Sequence, residues 1–297
     1  MENLSSITYN GRTFSDQEIQ EIHEIISSCH GLSRTELANT VCELLSLKRA
    51  TGRLKTVECR QFLEYLESKS LIDLPERRER RPEGSRTRVS RTVRGGIQVP
   101  LSGPISQFSP ISLTRVLTKE QRDLWYEYID RYHYLGYQLP FGAQLRYFVE
   151  TGGKERTILG CLQFSSPAWK MHPRDRWIGW SEAQRRRHLQ KIINNSRFLI
   201  LPWVQIKYLA SFILGMVVRR IGEDWESQYG YRPVLLETLV DCRRFQGTCY
   251  KAANWVYVGT TTGRGRMDRE NRRHGLAPKA IYLYPLTRRF REELLAS

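Results

Sequence analysis

Residues 75–96, PERRERRPEGSRTRVSRTVRGG, hold eight Arg and three Glu against two Val. A stretch so charged and so poor in apolar side chains cannot form part of a buried layer. Any compact fold must therefore be built on either side of it. Residues 76–96 read as a flexible basic linker, continued by an extended Pro/Ser/Gly-rich segment over 97–115. The expected organisation is a helical module over 1–75, the linker over 76–115 and a second domain over 116–297.

The first part carries three helix signatures. In SDQEIQEIHEII, Ser15 precedes Glu18 by three residues, a capping-box spacing, and Ile19, Ile22, Ile25 and Ile26 share one helical face. SRTELANTVCELLSL repeats the pattern with Ser33 and Glu36, and places Leu37, Val41, Leu44 and Leu45 inward. After Gly52, TVECRQFLEYLESKSLI predicts a third helix with Val57, Phe62, Leu63 and Leu66 inward, followed by an extended LIDLP. Three short helices of this kind fit a helix-turn-helix or winged-helix module, whose third helix would offer Lys55, Arg60 and Lys69 to DNA. A plain three-helix interaction bundle has the same signature.

The second part alternates. LTKEQRDLWYEYIDRYHYLG predicts a helix capped by Thr118 and Gln121, with Leu124, Trp125, Tyr128, Ile129 and Tyr132 on its apolar side. AQLRYFVET and RTILGCLQFSS predict a hairpin around GGKE. A loop (AWKMHPRDRWIGW), a charged helix over 181–193, the buried strand RFLILPWV, the helix LASFILGMVVRRI, the strand PVLLETLV, the helix TCYKAANWVYVG and the strand AIYLYPL follow. The expected class is α+β, with a mixed αβ second domain.

Lys plus Arg number 47 against 31 Asp plus Glu, a formal charge of +16, which favours polyanionic partners, nucleic acid foremost. Arg34, Lys55, Arg60, Arg77, Arg78, Arg80, Arg81, Arg174, Arg243, Arg244, Arg264 and Arg266 are the candidate phosphate contacts, the last two in the Gly/Arg loop GTTTGRGRMDRENRRHG. Six Cys are scattered without CxxC pairs or His at metal spacing, so neither a zinc site nor a disulfide framework is indicated. The first residues lack the pattern of a secretory signal, and a cytoplasmic protein is expected.

Candidate chemistry falls on three clusters. His133 and Tyr134 end a helix, where a neutral imidazole could serve as general base or merely complement the helix end. Arg174 and Asp175 precede Trp177 and Trp180, either as a charge-paired loop or as the wall of a pocket where a flipped base stacks. Glu237 and Asp241 lie four apart in a strand and so share a face; with Asp175 they could hold Mg²⁺ for phosphodiester cleavage, or Glu237 could be a buried ion pair. Cys249, behind Gly247 and Thr248, is either an activated thiol at a helix start or a packing residue.

The order of elements from residue 116 resembles the GNAT-type acyltransferase fold, with YKAANWVYVG in the place of its fourth helix. That fold cradles the acyl-CoA pyrophosphate in a Gly-rich turn; here the stretch is QIKYLASF, without glycine, which makes ordinary acetyl-CoA binding doubtful. RYHYLG, RDRWIGW, NNSRFLILPWV, LLETLVD, GTCYKAANW and VGTTTGRGR, in that order behind the helical first part, resemble the A protein family of the Druantia anti-phage defence system. The helical module is also similar to the head of some insertion-sequence transposases. These resemblances imply a prokaryotic defence role beside a large helicase-like partner. With the charge, they lead to the expectation of a DNA-binding defence component. The alternatives are a metal-dependent nuclease or transposase-related enzyme, a degenerate acyltransferase, or a non-catalytic adaptor.

Overall fold

The computed structural model describes residues 6–28, 33–45, 47–50, 54–76, 89–137, 142–152, 156–263 and 277–296. Two compact units divide the chain: Met1–Arg81 with Phe141–Ala143 and Glu226–Tyr231, and Pro82–Pro140 with Gln144–Trp225 and Arg232–Ser297.

The first unit opens with a hairpin of β1 (Ile7–Tyr9) and β2 (Arg12–Phe14), which sequence reasoning had not foreseen. Its two-residue turn, Asn10-Gly11, has positive φ at both positions (47° and 76°), the geometry that matches the twist of paired strands. Helices α1 (Asp16–Ser28), α2 (Arg34–Leu44) and α3 (Thr56–Ser68) follow. The expected capping boxes form: Ser15 Oγ accepts from the Glu18 amide while Glu18 accepts from the Ser15 amide, and Ser33 and Glu36 do the same. Ile19, Ile22, Leu37, Val41, Cys59, Phe62, Leu63 and Leu66 make the core, and Phe14 stacks on Phe62 at 4.0 Å. Val57, expected inward, is exposed; Cys59 takes the buried place on that turn of α3.

The second unit begins where a flexible linker was expected. Thr92 donates to Glu127 through its amide (2.6 Å) and its hydroxyl (2.8 Å), and the hydroxyls of Tyr128 and Tyr132 donate to the carbonyls of Arg94 and Gly95. These bonds fix residues 92–95 against α4 (Lys119–Tyr132). The segment 97–115 likewise contains β3 (Leu101–Gly103), a 3₁₀ turn (Ile105–Phe108) and β4 (Ile111–Arg115).

Beyond α4 come β5 (Gln144–Thr151), β6 (Ile158–Ser165), α5 (His172–Ile178), α6 (Glu182–His188), β7 (Ile192–Ile200), β8 (Val204–Ile206), α7 (Leu209–Tyr229), β9 (Leu235–Asp241), α8 (Thr248–Ala252), β10 (Val256–Thr260), β11 (Lys279–Pro285) and α9 (Phe290–Leu295). The seven-stranded sheet runs β10-β11-β9-β7-β6-β5-β4 and is antiparallel throughout except between β7 and β9. The α+β class, with a helical first part and a mixed sheet in the second, is thus the one expected.

Three element assignments differ from expectation. The loop around HPRDRWIG contains α5, begun by Pro173 in its first turn and ended by Gly179 at φ 87°. Strand β7 starts at Ile192, five residues earlier than the expected 197, because Asn194 and Asn195 enter the sheet. Helix α8 stops at Ala252, since Asn254 turns left-handed (φ 63°), and the β-favouring Val256, Tyr257 and Val258 form β10 instead.

Candidate nucleic-acid interface

Strands β7 and β9 are paired only over Ile192–Asn195 and Leu235–Thr238. Past that point β7 stays with β6 and β9 with β11, so the two part and leave a fork in the middle of the sheet. Tyr250 of α8 closes its inner end. Its hydroxyl donates to Asn195 Oδ1 at 2.9 Å, and Thr238 Oγ1 donates to the Asn195 carbonyl at 3.1 Å. Burial pushes the Tyr250 phenol well above its ordinary value, so it remains a donor.

The outer arms of the fork carry cations. A bulge in β7 opposite Gln163 and Phe164 inserts Ser196 and re-aims the residues after it, beginning with Arg197. Arg197 donates to the Ser196 carbonyl at 2.7 Å and is in no ion pair among the described residues. Burial lowers its pKa, with Tyr134 opposing. Lys279 of β11 lies in register with Asp241 of β9, and burial lowers its pKa too, with Asp241 opposing and Arg197 adding to the effect. Asp241 is held by Arg243, whose amide and guanidinium both donate to it, and this bonding keeps the carboxyl below its ordinary range. Arg244 lies over the Tyr134 ring at 5.1 Å. Arg243 and Lys279 thus act on Asp241, and Arg197, Arg243 and Arg244 on the neighbouring Tyr134.

His133 and Tyr134, at the end of α4, belong to this neighbourhood. The His133 ring stacks on Tyr134 at 4.8 Å, and Nδ1 accepts from the Leu135 amide at 3.2 Å. Burial, with Arg197 adding to it, lowers its pKa to about 4. The ring is therefore neutral at pH 7, with its proton on Nε2. It presents a donor, not the free lone pair that a general base needs. Burial also raises the Tyr134 phenol, with Asp241 adding to the effect.

Arg174, Asp175 and Glu237 form a separate knot. Arg174 and Glu237 are both fully buried, and Nη1 donates to Glu237 Oε2 at 2.9 Å. Nη1 also reaches the Ala168 carbonyl (2.8 Å), Nη2 the Trp169 carbonyl (3.3 Å) and Asp175 (2.8 Å), and Nε reaches Asp175 (2.9 Å). All five guanidinium donors are occupied. Burial raises the Glu237 pKa, against the opposing charge of Arg174. Trp180 donates to Asp175, and Trp177 is stacked on Phe290 at 5.2 Å, so neither ring waits for a base.

Several expectations change accordingly. Arg174 is inaccessible to phosphate. Asp175 and Glu237 are committed to Arg174 and Asp241 to Arg243, so the three do not fit a Mg²⁺ site; among the described residues no group of three His, Cys, Asp or Glu is placed to hold a metal. Burial raises the Cys249 thiol, the opposite of activation. In the first unit Arg34 is bound bidentately to Glu67 (2.7 and 2.8 Å) and Arg60 lies 3.9 Å from Glu64, whereas Lys55 and Lys69 are exposed. Arg77, Arg78, Arg80, Arg81, Arg264 and Arg266 lie outside the described residues. Arg197 and Lys279 are the functional candidates that sequence reasoning missed: Arg197 was hidden in a strand taken as apolar, and Lys279 sits at a strand edge. Among the described residues no helix is long and apolar enough to cross a membrane.

Fold and site define a basic protein whose mixed-sheet α+β unit carries a cation-lined fork. The chain belongs to the family described as Druantia protein DruA, whose model matches residues 65–275, and it is accordingly a component of Druantia anti-phage defence. Among curated proteins none matches it. Similar solved structures include the spermidine N-acetyltransferase from Vibrio cholerae in complex with CoA and spermine (11% identity, TM-score 0.40, 60% of this chain and 96% of that one). Another is the ribosomal-protein-S18-alanine N-acetyltransferase from Escherichia coli (9% identity, TM-score 0.36, 60% and 94%).

Proposed function

We propose that the chain binds nucleic acid, DNA in the first place, on behalf of Druantia defence, and that the β7/β9 fork is its contact. The observation that carries this reading is the pair Arg197 and Lys279. Each is a partly buried cation without an ion-pair partner among the described residues, and burial opposes the charge of both. A cation held out of water and left unpaired costs stability, and a phosphate offsets that cost when it arrives. Arg243 and Arg244 extend the positive surface outward, and the overall charge of +16 favours the encounter. Lys55 and Lys69, at the two ends of α3, are exposed and add a second contact. The reading assigns no bond-breaking step to the chain.

The test is fluorescence anisotropy of a labelled DNA oligonucleotide titrated with the protein over a salt series. Binding is expected to weaken steeply with salt, and Arg197→Ala and Lys279→Ala are each expected to reduce the slope of log affinity on log salt by about 1. Affinity flat across the series, or slopes unchanged in both variants, would overturn the assignment.

A further inference from the structure

The strand register sorts the fork by face. Arg197 stands opposite Gln163 of β6 and Asn194 opposite Ser165, two residues along the same strand, so Arg197 and Asn194 share a face. Asn194 pairs with Glu237, Glu237 lies four residues before Asp241, and Asp241 pairs with Lys279. Arg197, Asp241 and Lys279 therefore project from one face of the sheet. Asn195 and Thr238, next in line to Asn194 and Glu237, point to the other face, where the Tyr250 hydroxyl bonds to both. The rings of Phe198 and Tyr282 flank Tyr250 there at 6.3 and 5.7 Å, so a wall spans from β7 to β11 behind the cations. A ligand can enter the fork from the cationic face but cannot pass through it.

We infer that the fork takes the phosphorylated end of a nucleic-acid strand, with the terminal phosphate between Arg197 and Lys279. This rests on the nucleic-acid reading above and specifies the part of the polymer that enters. Two arguments carry it. The first is shape: a strand end needs only a blind cleft, whereas a backbone that continues on both sides of a phosphate would have to leave through Tyr250 or lie across the mouth. The second is charge. Arg243 is matched by Asp241, which leaves Arg197 and Lys279 as the two cations on the fork's own strands without an ion-pair partner among the described residues. Two positive charges held partly out of water are best offset by two negative ones. A phosphodiester link or a carboxylate brings one, while a terminal phosphate brings about 1.5 to 2 at pH 7, on three free oxygens. His133, with its proton on Nε2, and the Tyr134 hydroxyl are close enough to feel the charge of Arg197 and add two neutral donors. Arg243 and Arg244, exposed beyond the end of β9, are left for the diester links that follow.

The experiment titrates the full chain, at one salt concentration, into three oligothymidylates of one length, each carrying fluorescein on an internal base: one with hydroxyls at both ends, one with a 5′-phosphate and one with a 3′-phosphate. At least one phosphorylated strand is expected to bind about tenfold more tightly than the unphosphorylated one. Arg197→Gln and Lys279→Gln are each expected to erase most of that preference without lowering the melting temperature, since each removes an unpaired charge. Lys55→Gln, an equal loss of charge in the first unit, is expected to keep the preference. Equal affinity for all three strands, a preference undiminished in both fork variants, or one lost equally in Lys55→Gln would overturn the strand-end inference while the nucleic-acid reading stands on its salt slope. Displacement of the phosphorylated strand by an equal concentration of thymidine 5′-monophosphate would overturn it in favour of a free nucleotide. Absence of binding to any strand at low salt would overturn both readings.

Discussion

Arg174 Nη1 donates to Glu237 Oε2 at 2.9 Å with both side chains wholly buried, tying the first turn of α5 to the interior of β9 across 63 residues of sequence. Around them Met171, Ile178, Trp180, Ile192, Leu235 and Leu283 make an apolar core, so the pair has little water to fall back on. Such a pair specifies an arrangement more than it adds stability, and removing one partner strands the other.

Arg174→Ala is therefore expected to destabilise the second unit by about 3 to 5 kcal/mol, read as a lower midpoint in urea or guanidinium unfolding. Arg174→Lys is expected to recover little, because an ammonium offers three donors where five are used. Glu237→Gln, which keeps the shape, is expected to cost less than Glu237→Ala. An unfolding midpoint unmoved in Arg174→Ala would show that the knot does not hold the unit together.

What could be read from the sequence and what could not divides by range. Ser15 with Glu18, Ser33 with Glu36 and Thr118 with Gln121 are contacts within one helical turn, and each capping box formed where its spacing placed it. The Asn10-Gly11 turn was equally local, and a hairpin was there to be read in YNGR, between the short runs ITY and RTF. Arg174 reads in the sequence as a phosphate contact or part of a charge-paired loop because its decisive partner lies in another strand. Asp175 and Glu237 looked like metal ligands for the same reason: spacing reports a shared face, and only the tertiary fold reports that an arginine already stands between them. Asn194, Asn195 and Ser196 disguised the start of β7, since the sequence does not show that Gln163, Arg197 and Tyr250 satisfy the buried Asn195.

The first unit supplies a control on the electrostatic argument. Arg34, a plausible phosphate contact by sequence, is clamped by Glu67 and donates through Nε to the Pro75 carbonyl at 2.7 Å. Arg34→Ala is expected to lower stability by about 1 kcal/mol and to leave the salt slope of DNA binding unchanged. A slope reduced as far as in Lys279→Ala, measured in the same anisotropy series, would place Arg34 on DNA.

His133 gives a pH signature. Its folded pKa is depressed to about 4, below the ordinary value near 6.5. At neutral pH both folded and unfolded forms are uncharged there, and no stability depends on it. As the pH falls through 6.5 the unfolded chain takes up a proton that the folded chain refuses, so this residue's contribution turns against folding progressively down to about pH 4. The imidazole C–H resonances, followed by NMR, are expected to titrate with a midpoint near 4. A midpoint near 6.5 would place the ring in water, away from Arg197 and Tyr134.

The last prediction concerns the segment fixed to α4. Glu127 is buried in the middle of that helix, and its carboxylate accepts from the Thr92 amide, the Thr92 hydroxyl and, as an ion pair at 2.8 Å, from Arg131. Gly95 passes so close that a Cβ there would overlap the Glu127 carboxyl group. Gly95→Ala must displace either the segment or the carboxylate, and because Glu127 is held from three sides the segment is the part expected to yield. The cost is expected to be about 1 to 3 kcal/mol, as for other overpacked sites. Hydrogen exchange localises it: the Thr92 amide is expected to be protected in the unaltered protein and to exchange much faster in Gly95→Ala, with the amides of β5 and β6 unaffected. Equal protection in both proteins would mean that residues 92–95 are not held by Glu127, and that the basic stretch before them is followed by loose chain after all.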